Sequence, residues 1–423
     1  MQNLSNKITY KLFTIGLLVA IFAIAPFAFM GCVFTLSASY TLPVMRIYTN
    51  SGEDIVNRDI WLEGSISLEN GEEEFNFDTR DVRVRGRGNS TWWHGRQIGK
   101  PPLRIRFPQA VSMFGLPADR DWALLSNPFD HTMLRNYLAL DLAQSIARND
   151  AFHPNTVFLE LYVNGRYQGV YVLHEQNRVQ TQPGVNNADF FMELDYLSQH
   201  EGDNDWFFAP VGNPNSQNAI RVRAPEVTSA DLEYLTNFMT HFNNVLRAPG
   251  EEYLDYIDLE SWVDFFLVQE IFMNPEIAWK SVFFYKLDGR IFMGPVWDFD
   301  WTSNNLNSVG RQNENSFMMS ANGWIASLLE KESFREALAI RWEEIRPQVD
   351  DMLDKNDEIQ SRLSVAVAHE NRLMQKRYRF FSFERNRVIR NGTWQQEVNA
   401  LFEFLNRRAV FLDGHFASWL AHN

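Results

Sequence analysis

The run Phe158-Leu159-Glu160-Leu161-Tyr162-Val163, the triplet Asn164-Gly165-Arg166 and the run Tyr167-Gln168-Gly169-Val170-Tyr171-Val172-Leu173 read as two strands joined by a tight turn. β-Branched and aromatic residues fill both runs, and Asn-Gly supplies the two left-handed backbone positions that a two-residue hairpin needs. Upstream, the text is strand-like from Val44 to about Phe107. Val82-Arg83-Val84-Arg85 and Leu103-Arg104-Ile105-Arg106-Phe107 alternate apolar and basic residues, as half-buried strands do. Between them, Gly86-Arg87-Gly88-Asn89-Ser90-Thr91-Trp92 is either an ordinary hairpin connection or a loop whose backbone N–H groups and arginines could meet phosphate. His131 to Arg148 reads as a helix. The hairpin ends at His174-Glu175-Gln176, and a polar segment follows to about residue 225, with Met192-Glu193-Leu194-Asp195 as a short strand. From about Ala230 the pattern is mostly helical, clearest over Phe334 to Ile345 and Val398 to Leu420. A β-rich first half and a helical second half predict an α+β protein of two lobes with a cleft between them.

With 423 residues and 45% hydrophobic content, the chain can bury a large core. A formal net charge of −14 excludes a generic nucleic-acid binder. At the N-terminus, Lys7 and Lys11 precede an apolar run from Leu12 to Ile24, and the uncharged text continues to Gly31. Cys32 follows and is the only cysteine, so no disulfide framework can form. This arrangement resembles a bacterial lipoprotein signal in which Cys32 is acylated, although Phe29-Met30-Gly31 departs from the usual Leu-Ala-Gly type. The alternative is an uncleaved anchor, because about 20 uncharged residues can span a bilayer. Either way, residues 1–32 are expected to hold the protein at a membrane, 33–43 to form a tether, and the rest to lie outside the cytoplasm.

Beyond the hairpin, Gly294-Pro295-Val296-Trp297-Asp298-Phe299-Asp300-Trp301 sets two carboxylates one residue apart in apolar company. It follows a strand, Val282-Phe283-Phe284-Tyr285, and an Asp288-Gly289 turn. On an extended strand, Asp298 and Asp300 would share a face. Such a pair suits Mg2+ or Mn2+ completed by phosphate oxygens, or else a structural pair satisfied by arginines. His131 and His174 read as ordinary polar positions.

Taken in order, the segments resemble the CotH family, spore-coat-protein-H-like atypical protein kinases. The likeness begins with Arg85-Gly86-Arg87-Gly88-Asn89-Ser90-Thr91-Trp92 and Lys100-Pro101-Pro102-Leu103-Arg104-Ile105-Arg106-Phe107. It continues with Leu134-Arg135-Asn136, the hairpin from Leu161 to Tyr171, and Glu193-Leu194-Asp195. It ends with Gly294 to Asp300, Arg341-Trp342 and Asn406-Arg407-Arg408, covering roughly residues 44 to 415.

The resemblance implies an atypical protein-kinase-like two-lobed fold, with a β-rich N-lobe over about 44–175 and a mainly helical C-lobe over about 176–423. It implies transfer of the ATP γ-phosphate to serine or threonine of exported or surface proteins, assisted by Mg2+ or Mn2+. Positioning and charge neutralisation carry most of such a reaction. On this reading Asp298 holds the metal with Asp300 as its partner. Arg87, Lys100, Arg104 and Arg106 neutralise nucleotide phosphates, and Glu175 lies near the lobe junction. Glu276, after Asn274-Pro275, stands where the family has Asn-x-Asp and takes the catalytic carboxylate's place. Two departures stand out. Lys100-Pro101-Pro102-Leu103-Arg104-Ile105-Arg106 replaces a Lys-Lys-Pro-Tyr-Arg-Ile-Lys pattern, and Glu replaces Asp at 276, which lengthens the reach by more than an ångström. A non-catalytic surface scaffold that keeps the fold is therefore the alternative to an active kinase.

Overall fold

The computed structural model describes residues 42–69, 75–149, 151–176, 186–195, 204–305, 313–378 and 392–421. Cys32, the signal segment and most of the tether lie outside them. Leu42–Asn423 forms one compact unit.

The first part of the chain is a barrel. Strands β1 (Val44–Thr49), β2 (Leu62–Glu69), β3 (Phe77–Gly86), β4 (Leu103–Val111), β5 (Asp119–Leu125), β6 (Thr156–Val163) and β7 (Arg166–Glu175) close in the order β1-β2-β3-β4-β5-β7-β6. Every pairing is antiparallel except β1 with β6, which is parallel and closes the barrel. Alternation decides what faces inward: Val82, Val84, Leu103, Ile105 and Phe107 enter the barrel core, with Trp122 and Tyr171 as its largest side chains. Asn164 (φ 50°) and Gly165 (φ 73°) take the left-handed conformations expected of the β6–β7 turn.

Two short helices interrupt the barrel. Helix α1 (Ser90–Gln97) starts inside the segment read as a glycine loop, so only the residues after Gly86 and before Ser90 remain loop. Gly86 is required where α1 crosses β3, because a Cβ there would come within 2.1 Å of the Trp92 ring. Helix α2 (Arg135–Ile146) is shorter than the sequence suggested.

After the barrel come β8 (Phe190–Leu194), β9 (Trp206–Ala209), β10 (Asn218–Ala224), α3 (Ser229–Arg247), α4 (Leu259–Ile271), β11 (Val282–Leu287) and β12 (Arg290–Met293). Helices α5 (Gly323–Leu329), α6 (Glu332–Asp354), α7 (Asn356–Tyr378) and α8 (Trp394–Leu420) complete the order. The five late strands form an antiparallel sheet, β12-β11-β8-β10-β9, so the second half is less purely helical than the sequence reading had it. Its strands β9 and β10 fall in the polar segment, where short runs carry little alternation. One continuous core joins the inner face of this sheet, the helices, and the outer face of the β6–β7 hairpin through Phe158, Val170 and Val172. No helix among the described residues is long and apolar enough to cross a membrane. The architecture is mixed α+β, β-rich first and mainly helical later.

Candidate functional site

A pocket of about 1270 Å³ opens where the barrel, the second sheet and the loop after β12 meet. Its acidic floor is built by that loop. Val296 and Phe299 are fully buried, and Phe299 meets Phe272 edge-on at 5.6 Å, so the apolar residues anchor a backbone that turns the aspartates toward the cavity. Asp298 is not in a strand: its φ is 65°, a left-handed value that Asp tolerates better than most residues. The expectation of two aspartates on one strand face is thus corrected. A loop brings them together, and the alternation rule does not apply.

Residues far apart in sequence hold this loop. The Asn136 side chain at the start of α2 accepts the Phe299 N–H at 2.8 Å, while the Arg135 guanidinium donates to the Thr302 carbonyl at 3.0 Å. Asn274 caps the short turn Pro275–Ala278 by accepting the Glu276 N–H at 3.0 Å, and its amide nitrogen donates to the Asp298 carbonyl at 3.4 Å. The Ser281 hydroxyl donates to the Asp298 carboxylate at 3.0 Å.

The outcome is a triad of carboxylates, Glu276, Asp298 and Asp300, with one oxygen from each within 4.8 Å of the others. Glu276 is 1% exposed and forms an ion pair with Lys280. Neither of its oxygens has a hydrogen-bond donor in good geometry. Burial, then the Asp298 charge, pushes the Glu276 carboxyl up to about 8. Burial and the same neighbours hold Asp300 well above the usual carboxylate range. Asp298, Glu276 and Asp300 raise the Lys280 ammonium despite its burial, and it also lies 4.5 Å from the Trp301 ring centre. Three crowded oxygen ligands that resist ionising together are what a hard divalent cation relieves, so the residues fit Mg2+ or Mn2+.

Across the pocket stand Arg87 and Arg104 of the barrel. Burial lowers Arg87 to about 10, with Asp298 opposing and the nearby arginines adding to the fall; it remains cationic at neutral pH. Among the described residues, no side-chain hydrogen bond or ion pair engages its guanidinium, which lies 6.0 Å from the Trp297 ring. Arg104 reaches the wall but is already paired with Asp121 at 2.9 Å. Glu193 and Asp195 of the β8 end face the pocket from the second sheet, with Glu193 paired to Arg223 and raised to about 7 by burial. Burial lowers His174, which also lines the pocket edge-on to Trp297, to about 3, so it stays neutral.

Three expected phosphate or cofactor residues are not on this wall. Lys100 is buried and pairs with Glu370 of α7 at 2.6 Å. Arg106 points along the barrel's outer face and pairs with Asp121 at 2.8 Å. The Glu175 carboxylate is held by the backbone and side chain of Asn155, at 2.8 and 2.7 Å. In each case a partner that the sequence does not announce takes the charge. Conversely, the reading assigned no task to Asn136, Lys280 or Ser281, whose partners lie 163, 4 and 17 positions away. The i,i+4 spacing of Glu276 and Lys280 was the one available signal.

No curated protein matches this chain. The family model described as CotH kinase protein matches residues 82–412, from β3 into α8, and includes every pocket-lining residue except Arg58 and Asp59. This match spans most of the sequence, and the chain belongs to the CotH kinase protein family.

Proposed function

We propose that this protein is an atypical protein kinase that transfers the γ-phosphate of ATP to serine or threonine of exported or surface proteins. It would act outside the cytoplasm, held at a membrane by its N-terminal segment through Cys32 or an uncleaved anchor. The barrel would serve as the N-lobe of a two-lobed kinase-like fold, and the sheet with the later helices as the C-lobe. One observation carries the reading: Asp298 and Asp300, clustered with the buried Glu276, face one large pocket together with Arg87, whose guanidinium no described side chain pairs with, in a CotH kinase domain.

Asp298 and Asp300, joined by Glu276, would hold Mg2+ or Mn2+. When bound, the cation supplies charge neutralisation for the phosphate oxygens. Arg87 binds phosphate with its fork of donors, at little cost because it breaks no ion pair or side-chain hydrogen bond with the described residues. Lys280 stays protonated beside the triad and limits the repulsion among its members. Asn136, Asn274 and Ser281 fix the Asp298 loop, so the carboxylates do not reorganise during transfer. Glu276 lies behind the pocket wall in contact with Lys280, which suits a cation ligand better than a proton acceptor for a docked hydroxyl. The scaffold reading has one observation in its favour: Lys280 already neutralises part of the triad without a cation.

Thermal shift with ATP and Mg2+ or Mn2+, together with a radiolabelled γ-phosphate assay that includes autophosphorylation, tests the proposal. Cation-dependent ATP binding with label transfer supports a kinase, and binding without transfer supports the scaffold. Absence of both responses removes the nucleotide site altogether.

A further inference from the structure

We infer that the outer face of β3 and β4 is a docking track for an acidic, extended polypeptide segment running out of the pocket. The inference rests on the kinase reading only in taking that segment to be part of the phosphate acceptor. Arg83 stands directly opposite Arg106, and Arg85 directly opposite Arg104, in the antiparallel β3–β4 pairing. Like charges facing each other across strands destabilise a sheet, so two such pairs side by side need a reason beyond folding. All four guanidiniums gather around one ring, Trp61, at 5.7, 4.8, 5.9 and 4.9 Å from its centre for Arg83, Arg85, Arg104 and Arg106.

Asp121 pairs with two of this group, Arg104 and Arg106. Glu63 stands opposite Arg83 on β2 without an ion pair to it. Arg85 donates to the Arg58 carbonyl, leaves its Nε without a partner, and is lowered by burial, with Asp59 and Asp121 opposing the fall and Arg106 and Arg58 adding to it. Four guanidiniums thus crowd one ring and share Asp121 and the longer-range charge of Asp59, on a chain whose net charge is −14.

Position gives the track its direction. Arg85 and Arg104 line the pocket, whereas Arg83 and Arg106 lie one step further out and do not. Residues two apart on a strand repeat at roughly 7 Å, the same spacing as alternate side chains of an extended peptide. An acidic residue at every second position would thus meet successive arginine pairs while a residue nearer the pocket reaches its mouth. A membrane surface would call for a broad basic area, and this is a narrow line beginning at the site. Arginine clusters recognise acidic segments in this manner elsewhere.

The test is fluorescence anisotropy of a labelled ten-residue peptide alternating Glu and Ser, with a Gln-Ser peptide as control, on the full chain. The Glu-Ser peptide should bind and the control should not, with affinity falling as salt rises. Arg83→Glu should weaken binding about tenfold, and Arg83→Gln less, because a rim charge is reversed in one and removed in the other. Cation-dependent ATP binding by thermal shift should be unchanged in both variants, whose melting curves also report folding. Equal affinity for the two peptides, or no effect of either substitution, overturns the inference. Loss of the ATP response in the Arg83 variants also overturns it, by assigning the track to the nucleotide. Binding to phosphatidylserine vesicles with none to the peptide overturns it in favour of a membrane. Peptide binding in a protein that shows no ATP response would refute the kinase reading and leave the track standing.

Discussion

Replacing Glu276 with Gln should make the cation-free protein more stable while impairing its cation site. The Glu276 carboxyl moves from an ordinary 4.5 to about 8 in the folded protein, through burial first and Asp298 second, with Lys280 opposing. A raised carboxyl means that the fold binds the proton more tightly than the unfolded chain does. That contribution is fully present below the unfolded value and is lost as pH rises through about 8. At 1.36 kcal/mol per unit the whole span is worth roughly 5 kcal/mol, of which about 3 have been lost by pH 7. Gln keeps the shape and cannot ionise, so it escapes this loss. It also gives up the attraction to Lys280, but Asp298 and Asp300 still favour that ammonium. A net gain of about 1–3 kcal/mol is expected, or a few degrees in Tm for a chain of this size. The assay is differential scanning fluorimetry of parent and variant at pH 5, 7 and 8.5, in EDTA and in Mg2+ or Mn2+ with ATP. The variant should gain on the parent in EDTA as pH rises, should match it more closely at pH 5, and should lose most of the cation response. A variant less stable than the parent at pH 8.5 in EDTA, or one with an unchanged cation response, would refute the reasoning.

Asp298→Asn keeps an oxygen for the Ser281 hydroxyl, so it should fold normally and lose cation-dependent ATP binding, as followed by calorimetric titration. Arg87→Ala should weaken ATP binding about 10- to 100-fold, the worth of hydrogen bonds to a charged group, with little change in melting temperature. Arg408→Ala should cost about 3–5 kcal/mol in urea unfolding, because it strands Glu270, with which it shares a pair 2.6 Å apart and 0% exposed on both sides. Cys32→Ala should abolish metabolic lipid labelling; an identical label and mass in the variant would select the uncleaved anchor.

Local chemistry was legible in the sequence, and long-range pairing was not. Asn164-Gly165 and Asp288-Gly289 announced their hairpins because the turn geometry is written in two adjacent residues. The alternation in β3 and β4 gave the barrel's inner face for the same reason, but nothing local says that β1 returns to lie beside β6. Asp298 and Asp300 were legible as a pair from their motif, yet their backbone was misread, because a left-handed residue in a loop leaves no pattern. Lys100, Arg106 and Glu175 carry charges that suggest phosphate or a lobe junction, and each is claimed by a partner 270, 15 or 20 positions away. A charge in a strand or loop identifies a need for a partner and not which partner meets it.

The Glu370 carboxylate bears on how the chain comes to be made. One of its oxygens takes the Lys100 ammonium and the other the Val170 N–H, each at 2.6 Å, and both of those groups belong to the barrel half. All seven barrel strands have been synthesised once the ribosome passes Glu175. Yet Glu370, the carboxylate that takes both in the folded chain, follows only some 200 residues later, roughly 10–40 seconds at ordinary elongation rates. An amino-terminal fragment ending before α7 would lack the carboxylate that takes this ammonium and this amide in the complete chain, so it should be more protease-sensitive than the complete chain. The barrel's topology is finished early in translation, and its charge balance only near the end.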